Sequence, residues 1–97
     1  LPEASLLFEL KRIYDDGRII EARIWAVPLL VRGSDHQLKY SLFYGSEGER
    51  LVGYDNEAGK GDHRHYEDRQ EAYAFTTVEN VVADFIADVS KIRGGAL

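Results

Sequence analysis

The chain has 97 residues, no cysteine and a formal net charge of −5. That length makes a single domain over 1–97 with a thin core. The absence of cysteine excludes disulfides, thiolate metal sites and a thiol nucleophile, and the acidic balance argues against a generic phosphate-backbone binder. Leu6 to Ile13 is apolar at 6, 8 and 10 and polar at 9, 11 and 12, close to the period of two of a strand. Asp15-Asp16-Gly17 then predicts a hairpin turn, followed by a long strand over Arg18–Val27. Glu21 and Arg23 share one face of it with Trp25, while Ile20, Ala22 and Ile24 share the other.

Gly33-Ser34-Asp35 predicts the next turn. The strand His36–Tyr44 follows, with Leu38, Tyr40, Leu42 and Tyr44 on one face and Lys39, Ser41 and Phe43 on the other. Gly45 to Gly48 reads as a hairpin loop, Glu49–Asn56 as a strand and His63–Glu67 as another. A turn at Asp68-Arg69-Gln70 is expected to lead into a last strand over Ala72–Phe75. Thr76-Thr77-Val78-Glu79 reads as a capping box with Thr76 as N-cap. Val78, Val81, Val82, Phe85, Val89 and Ile92 recur at helical spacing, and Gly94 ends the helix. The expected fold is α+β: an antiparallel sheet of about five or six strands with one C-terminal helix packed on one face.

The chemistry is concentrated between Tyr54 and His65, which holds two of the three histidines together with Asp55, Asn56, Glu57, Lys60, Asp62 and Arg64. Residues two apart in a strand point the same way, so His63 and His65 project together and Arg64 projects opposite. Paired imidazoles suit acid–base work near neutral pH. RNA cleavage needs a base for the 2′-OH, an acid for the leaving 5′-oxygen and a cation on the phosphate. In that reading His63 and His65 are catalytic, Asp55 orients one of them, Lys60 or Arg64 clamps the phosphate, and Asn56 and Tyr54 contact substrate. The same spacing also fits two residues on the polar face of a half-exposed strand. A His-x-His metal site, with Asp55, Glu57 or Asp62 as third ligand, is the alternative that would require a divalent ion. Six tyrosines could stack on bases but suit a half-buried sheet equally. His36 carries no expected role.

Tyr54-Asp55-Asn56, Lys60-Gly61-Asp62-His63-Arg64-His65, Glu71-Ala72-Tyr73-Ala74-Phe75 and the helix residues Val78, Glu79, Ala83, Asp84, Phe85, Asp88 and Val89 together resemble the TumE family. The resemblance is strong over about Leu51 to Arg93 and extends to the N-terminal hairpins in layout. It implies a toxin of a toxin–antitoxin operon, held inactive by a helix-turn-helix antitoxin, with Tyr54, Asp55, Asn56, Lys60, His63 and His65 as functional candidates. It implies no settled chemistry. The leading expectation is a metal-independent ribonuclease acting in the cytoplasm on RNA. Two alternatives stand beside it: a metal-dependent nuclease or nucleotide-modifying toxin, and a non-enzymatic protein-binding module. Exposed edge strands would let a second copy, giving a homodimer, or an antitoxin segment add to the sheet. No run approaches the ~18 apolar residues of a membrane span.

Overall fold

The computed structural model describes residues 3–57, 59–95 and 97. The described strands are β1 (Ser5–Ile13), β2 (Ile19–Ala26), β3 (Leu38–Ser46), β4 (Glu49–Asp55), β5 (His63–Tyr66) and β6 (Arg69–Ala72), followed by α1 (Val78–Arg93). The six strands lie side by side in sequence order, each antiparallel to the next. The expected α+β architecture is therefore the observed one.

Strand alternation decides what is covered. Ile20, Ala22 and Ile24 of β2, Tyr40, Leu42 and Tyr44 of β3, and Val52 and Tyr54 of β4 all point to one side and are buried. Val81, Phe85 and Val89, spaced at i, i+4 and i+8 on α1, close over them. This is one apolar stripe laid on one apolar face, and among the described residues no second layer covers the opposite face of the sheet. The helix lies over β3 and β4, so its burial anchors the middle of the sheet. β1, at one edge, is largely exposed.

Two local expectations are corrected. The N-cap is Thr77 rather than Thr76: its side chain accepts from the Asn80 backbone N–H, while Asn80 Nδ2 donates to Thr76 Oγ1 at 2.9 Å. Asn80 thus takes the place expected of Glu79, one position later. The last strand is Arg69–Ala72, not Ala72–Phe75. Tyr66 pairs directly with Arg69, so the chain reverses within Glu67-Asp68, with Glu67 at the left-handed φ of 55°. The strand is fully exposed and lacks the hydrophobic alternation by which strands are recognised. Gly94, at φ 78°, ends the helix as expected, and its N–H returns to the carbonyls of Lys91 and Ser90. At that same end the Arg93 guanidinium lies 3.5 Å from the Tyr14 ring centroid and donates to Tyr44 Oη and Asp16. This fastens the helix terminus to the β1–β2 hairpin.

Candidate active site on the open sheet face

The sheet divides the expected site residues between its two faces. β4 turns Tyr54 toward the helix and Asp55 away from it; Asn56, just past the strand, is fully buried. β5 turns Arg64 toward the helix and His63 and His65 away. Across the ladder Asp55 stands opposite His63, and Gly53 opposite His65. The structure therefore brings His63, His65 and Asp55 together and separates them from Tyr54, Asn56 and Arg64.

On the helix side the polar groups close on one another. Arg64 Nε donates to Asp88 Oδ2 at 2.8 Å and its NH2 donates to Oδ1 at 3.0 Å, a bidentate fork. Tyr54 Oη donates to the same carboxylate at 2.6 Å and accepts from Arg64 Nε at 2.9 Å. Burial, and then the bond to Asp88, pushes the Tyr54 hydroxyl well above its ordinary pKa. The bond to Asp88 likewise pushes Arg64 up. This knot holds β4 and β5 to the helix. Arg64 is accordingly not free to clamp a phosphate beside the histidines.

Asn56 is fully buried. It accepts from the Tyr40 N–H at 3.1 Å and donates to the Leu38 carbonyl at 2.8 Å, standing in for backbone pairing where β4 ends.

Asp62 belongs to this inner set as well. It accepts from Ser34 Oγ at 2.5 Å, Tyr40 Oη at 2.6 Å and His36 Nε2 at 2.7 Å. Burial alone would raise its pKa, but these three bonds outweigh it and hold the carboxyl below 3.8. His36 Nδ1 accepts from the Leu38 N–H, so Nε2 carries the proton given to Asp62. The ring stacks on Phe75 at 4.1 Å. His36, which had no expected role, is a half-buried partner of Asp62. With Asp62 so engaged it is not a third ligand beside His63 and His65, and no three His, Asp or Glu side chains among the described residues are grouped as a metal ion would require.

The open face is different. His63 Nδ1 lies 3.0 Å from the Gly61 carbonyl. A carbonyl only accepts, so Nδ1 carries hydrogen and Nε2 bears the free lone pair of the neutral ring. His65 is the reverse. Its Nδ1 lies 2.8 Å from Arg50 NH2, and a guanidinium only donates, so Nδ1 is the acceptor and Nε2 carries the hydrogen. Partial burial first, and then the Arg50 charge, lowers the His65 pKa, with His63 adding to the effect and Asp55 opposing it. Asp55 is 3.9 Å from Arg50 NH1. Lys60 is exposed on the loop before β5 and lines, with His63 and Tyr73, an open recess. Beyond Asp55, a groove of about 430 Å³ crosses β2 and β3, lined by Trp25, Phe43, Ser41, Arg23, Glu21 and Glu57.

Arg50 is the residue the sequence concealed. Simple alternation puts Arg50 on the same side as Val52 and Tyr54. The β3–β4 register shifts between Tyr44 and Gly45, so Tyr44 pairs with Val52 and Gly45 with Arg50. The extra residue, Leu51, changes the phase and sends Arg50 to the open face. Gly45 makes the bulge possible: a Cβ there would lie 2.1 Å from the Glu49 carbonyl oxygen. Gly53 makes the path possible, since a Cβ there would lie 2.7 Å from Arg50 Cδ. A Gly in a strand is a recognisable mark of close approach, and Gly45 and Gly53 were the available signals.

The model of the family described as Toxin TumE matches residues 3–93. The chain belongs to the TumE toxin family. No curated protein and no solved structure gives a match. Membership gives the chain a toxin role, and a toxin family implies an antitoxin partner. The match includes the N-terminal hairpins, where the sequence resembled the family only in layout. Among the described residues no helix of this TumE toxin is long and apolar enough to cross a membrane.

Proposed function

We infer that this toxin cleaves RNA without a metal ion, using His63 and His65 as an acid–base pair, and that its antitoxin is a helix-turn-helix protein. The observation that carries the reading is the complementary wiring of two co-facial imidazoles. Residues two apart in a strand are separated by about 6.6 Å, a span suited to opposite sides of one phosphodiester. His63 has its Nδ1 hydrogen held by Gly61, and its Nε2 meets no hydrogen-bond partner among the described residues. It is the base that takes the 2′-OH proton. The 2′-oxygen then attacks phosphorus, the P–O5′ bond breaks, and the leaving 5′-oxygen takes the Nε2 hydrogen of protonated His65. The products are a 2′,3′-cyclic phosphate and a free 5′-hydroxyl, with the proton inventory balanced between the two rings. Asp55, across the ladder from His63, is the residue that orients it. Lys60 supplies local positive charge from the loop before β5.

The test is incubation of the purified toxin with an RNA oligonucleotide in excess chelator. New 2′,3′-cyclic phosphate ends are expected, and none from an oligonucleotide carrying 2′-deoxyribose at the cut position. Cleavage that requires an added divalent ion, or that leaves 5′-phosphate ends, would rule out this mechanism. RNA left intact while growth is still arrested would favour the binding-module reading.

A further inference from the structure

We propose that Arg50 is the phosphate-binding residue of the open face, and that a bound phosphodiester draws its guanidinium off His65 and thereby arms His65 as the acid. The proposal rests on the acid–base reading above and supplies the cation that Arg64 cannot be.

Arg50 is positioned for both tasks. Its side chain passes over Gly53, where a Cβ would lie 2.7 Å from Arg50 Cδ, and donates to His65 Nδ1 at 2.8 Å. Its side chain is 44% exposed, so an incoming anion can reach it without unfolding anything. Arg64, the neighbouring arginine, is by contrast locked in a bidentate pair with Asp88. The acidic group near Arg50, Asp55, stands at 3.9 Å, too far for a hydrogen bond. The guanidinium thus retains donors for a ligand, and its fork geometry matches a phosphate better than any other side chain does.

The resting contact also switches His65 off. With Arg50 on Nδ1 the ring is neutral, and a neutral imidazole that gave up its Nε2 hydrogen would become an anion, so it cannot serve as the acid. A phosphate that takes Arg50 frees the Nδ1 lone pair and brings negative charge alongside. Both changes favour protonation of Nδ1 from solvent, and the resulting imidazolium can release its Nε2 hydrogen. The groups that face His65 are Arg50 and Asp55 from β4 and His63 from its own strand; its partner on β6 is the uncharged Gln70. Removal of the Arg50 contact is therefore the dominant electrostatic change available. Substrate and acid are coupled, so the acid is formed only where a phosphate is present.

The experiment is nitrogen-15 NMR of the histidine rings of the full chain, with uridine 3′-monophosphate as probe at constant ionic strength. In the free toxin His65 is expected with hydrogen on Nε2 and none on Nδ1, and His63 with the opposite pattern. On adding the nucleotide, the His65 titration midpoint should rise. In Arg50→Gln, which removes the guanidinium that reaches His65 Nδ1, the rise should be lost and the nucleotide should bind at least tenfold more weakly. A free-state His65 with its hydrogen on Nδ1, or an unchanged midpoint on nucleotide binding, would overturn the proposal. So would undiminished binding by Arg50→Gln. The two readings fail separately. A nucleotide-dependent His65 shift without RNA cleavage keeps the Arg50 site and removes the ribonuclease. RNA cleavage by Arg50→Gln at the native rate and pH profile does the opposite.

Discussion

The two faces of this sheet use the same residue types for opposite ends. On the covered face, Arg64, Asp88 and Tyr54 satisfy one another, and Asp62 is bonded by three side chains. On the open face, Arg50, His65 and Asp55 hold a looser set, with one close hydrogen bond between Arg50 and His65 and Asp55 held at 3.9 Å. What separates them is cover, from α1 over the Tyr54–Arg64–Asp88 knot and from His36 and Phe75 beside Asp62. Where it excludes water, a polar group without a partner is costly, so polar residues there are tied up in holding elements together. Where no layer covers the sheet, incomplete pairing is tolerated, and those groups remain available to a ligand. Charge density along the sequence does not distinguish the two situations; the face does.

This contrast can be broken at its strongest point first. Phe85→Ala removes the largest helix side chain from the core and is expected to cost about 3–5 kcal/mol by denaturant unfolding. Asp88→Ala should cost about 3 kcal/mol, because it leaves a partly buried guanidinium with the more exposed Glu71 at 3.5 Å and takes the acceptor from the Tyr54 hydroxyl. By contrast, the His63→Ala, His65→Ala double variant should keep its stability within about 0.5 kcal/mol while losing growth arrest and RNA cleavage. A double variant that unfolded at markedly lower denaturant would mean that the open face too is structural.

Protonation sharpens the same comparison with smaller effects. The folded-state pKa of Asp62 is depressed, so its contribution to stability is complete above 3.8 and is lost as pH falls through the folded value. Asp62→Asn should therefore flatten the acid limb of the stability curve. His65 also has a depressed folded value, but as a base. The unfolded chain binds the extra proton first, so this contribution is complete above 6.5 and declines as pH falls below it. Its midpoint by NMR should lie under 6.5. Gly53→Ala should raise that midpoint at little cost in stability, since the nearest atoms a new Cβ meets belong to the flexible Arg50 side chain. A midpoint unmoved by Gly53→Ala would mean that Arg50 does not need that track to reach His65.

Much of this was legible in the sequence, for identifiable reasons. Ile20, Ala22 and Ile24, and Tyr40, Leu42 and Tyr44, alternate cleanly, and the strand period of two assigned them to one face. The periodicity of Val81, Phe85 and Val89 gave the helix. His63 and His65 were placed together by the same rule that set Arg64 opposite. What stayed hidden depended on events between strands. The bulge at Gly45 changes the phase of β4, and no alternation rule run along one strand could bring Arg50 to the histidines. The knot of Tyr54, Arg64 and Asp88 joins residues up to 34 positions apart, and Asp62 found His36 across 26. β6 lacks any apolar pattern because neither of its sides is buried, so its hydrogen-bonded pairing to β5 alone defines it.

The central claim is that the open face acts and the covered face holds. Its most direct test is growth of a bacterial culture after induced expression, comparing the native toxin with the His63→Ala, His65→Ala variant at matched soluble protein level. The account predicts that the native chain arrests growth and that the variant, equally folded, does not. A variant that arrests growth as the native chain does would contradict it.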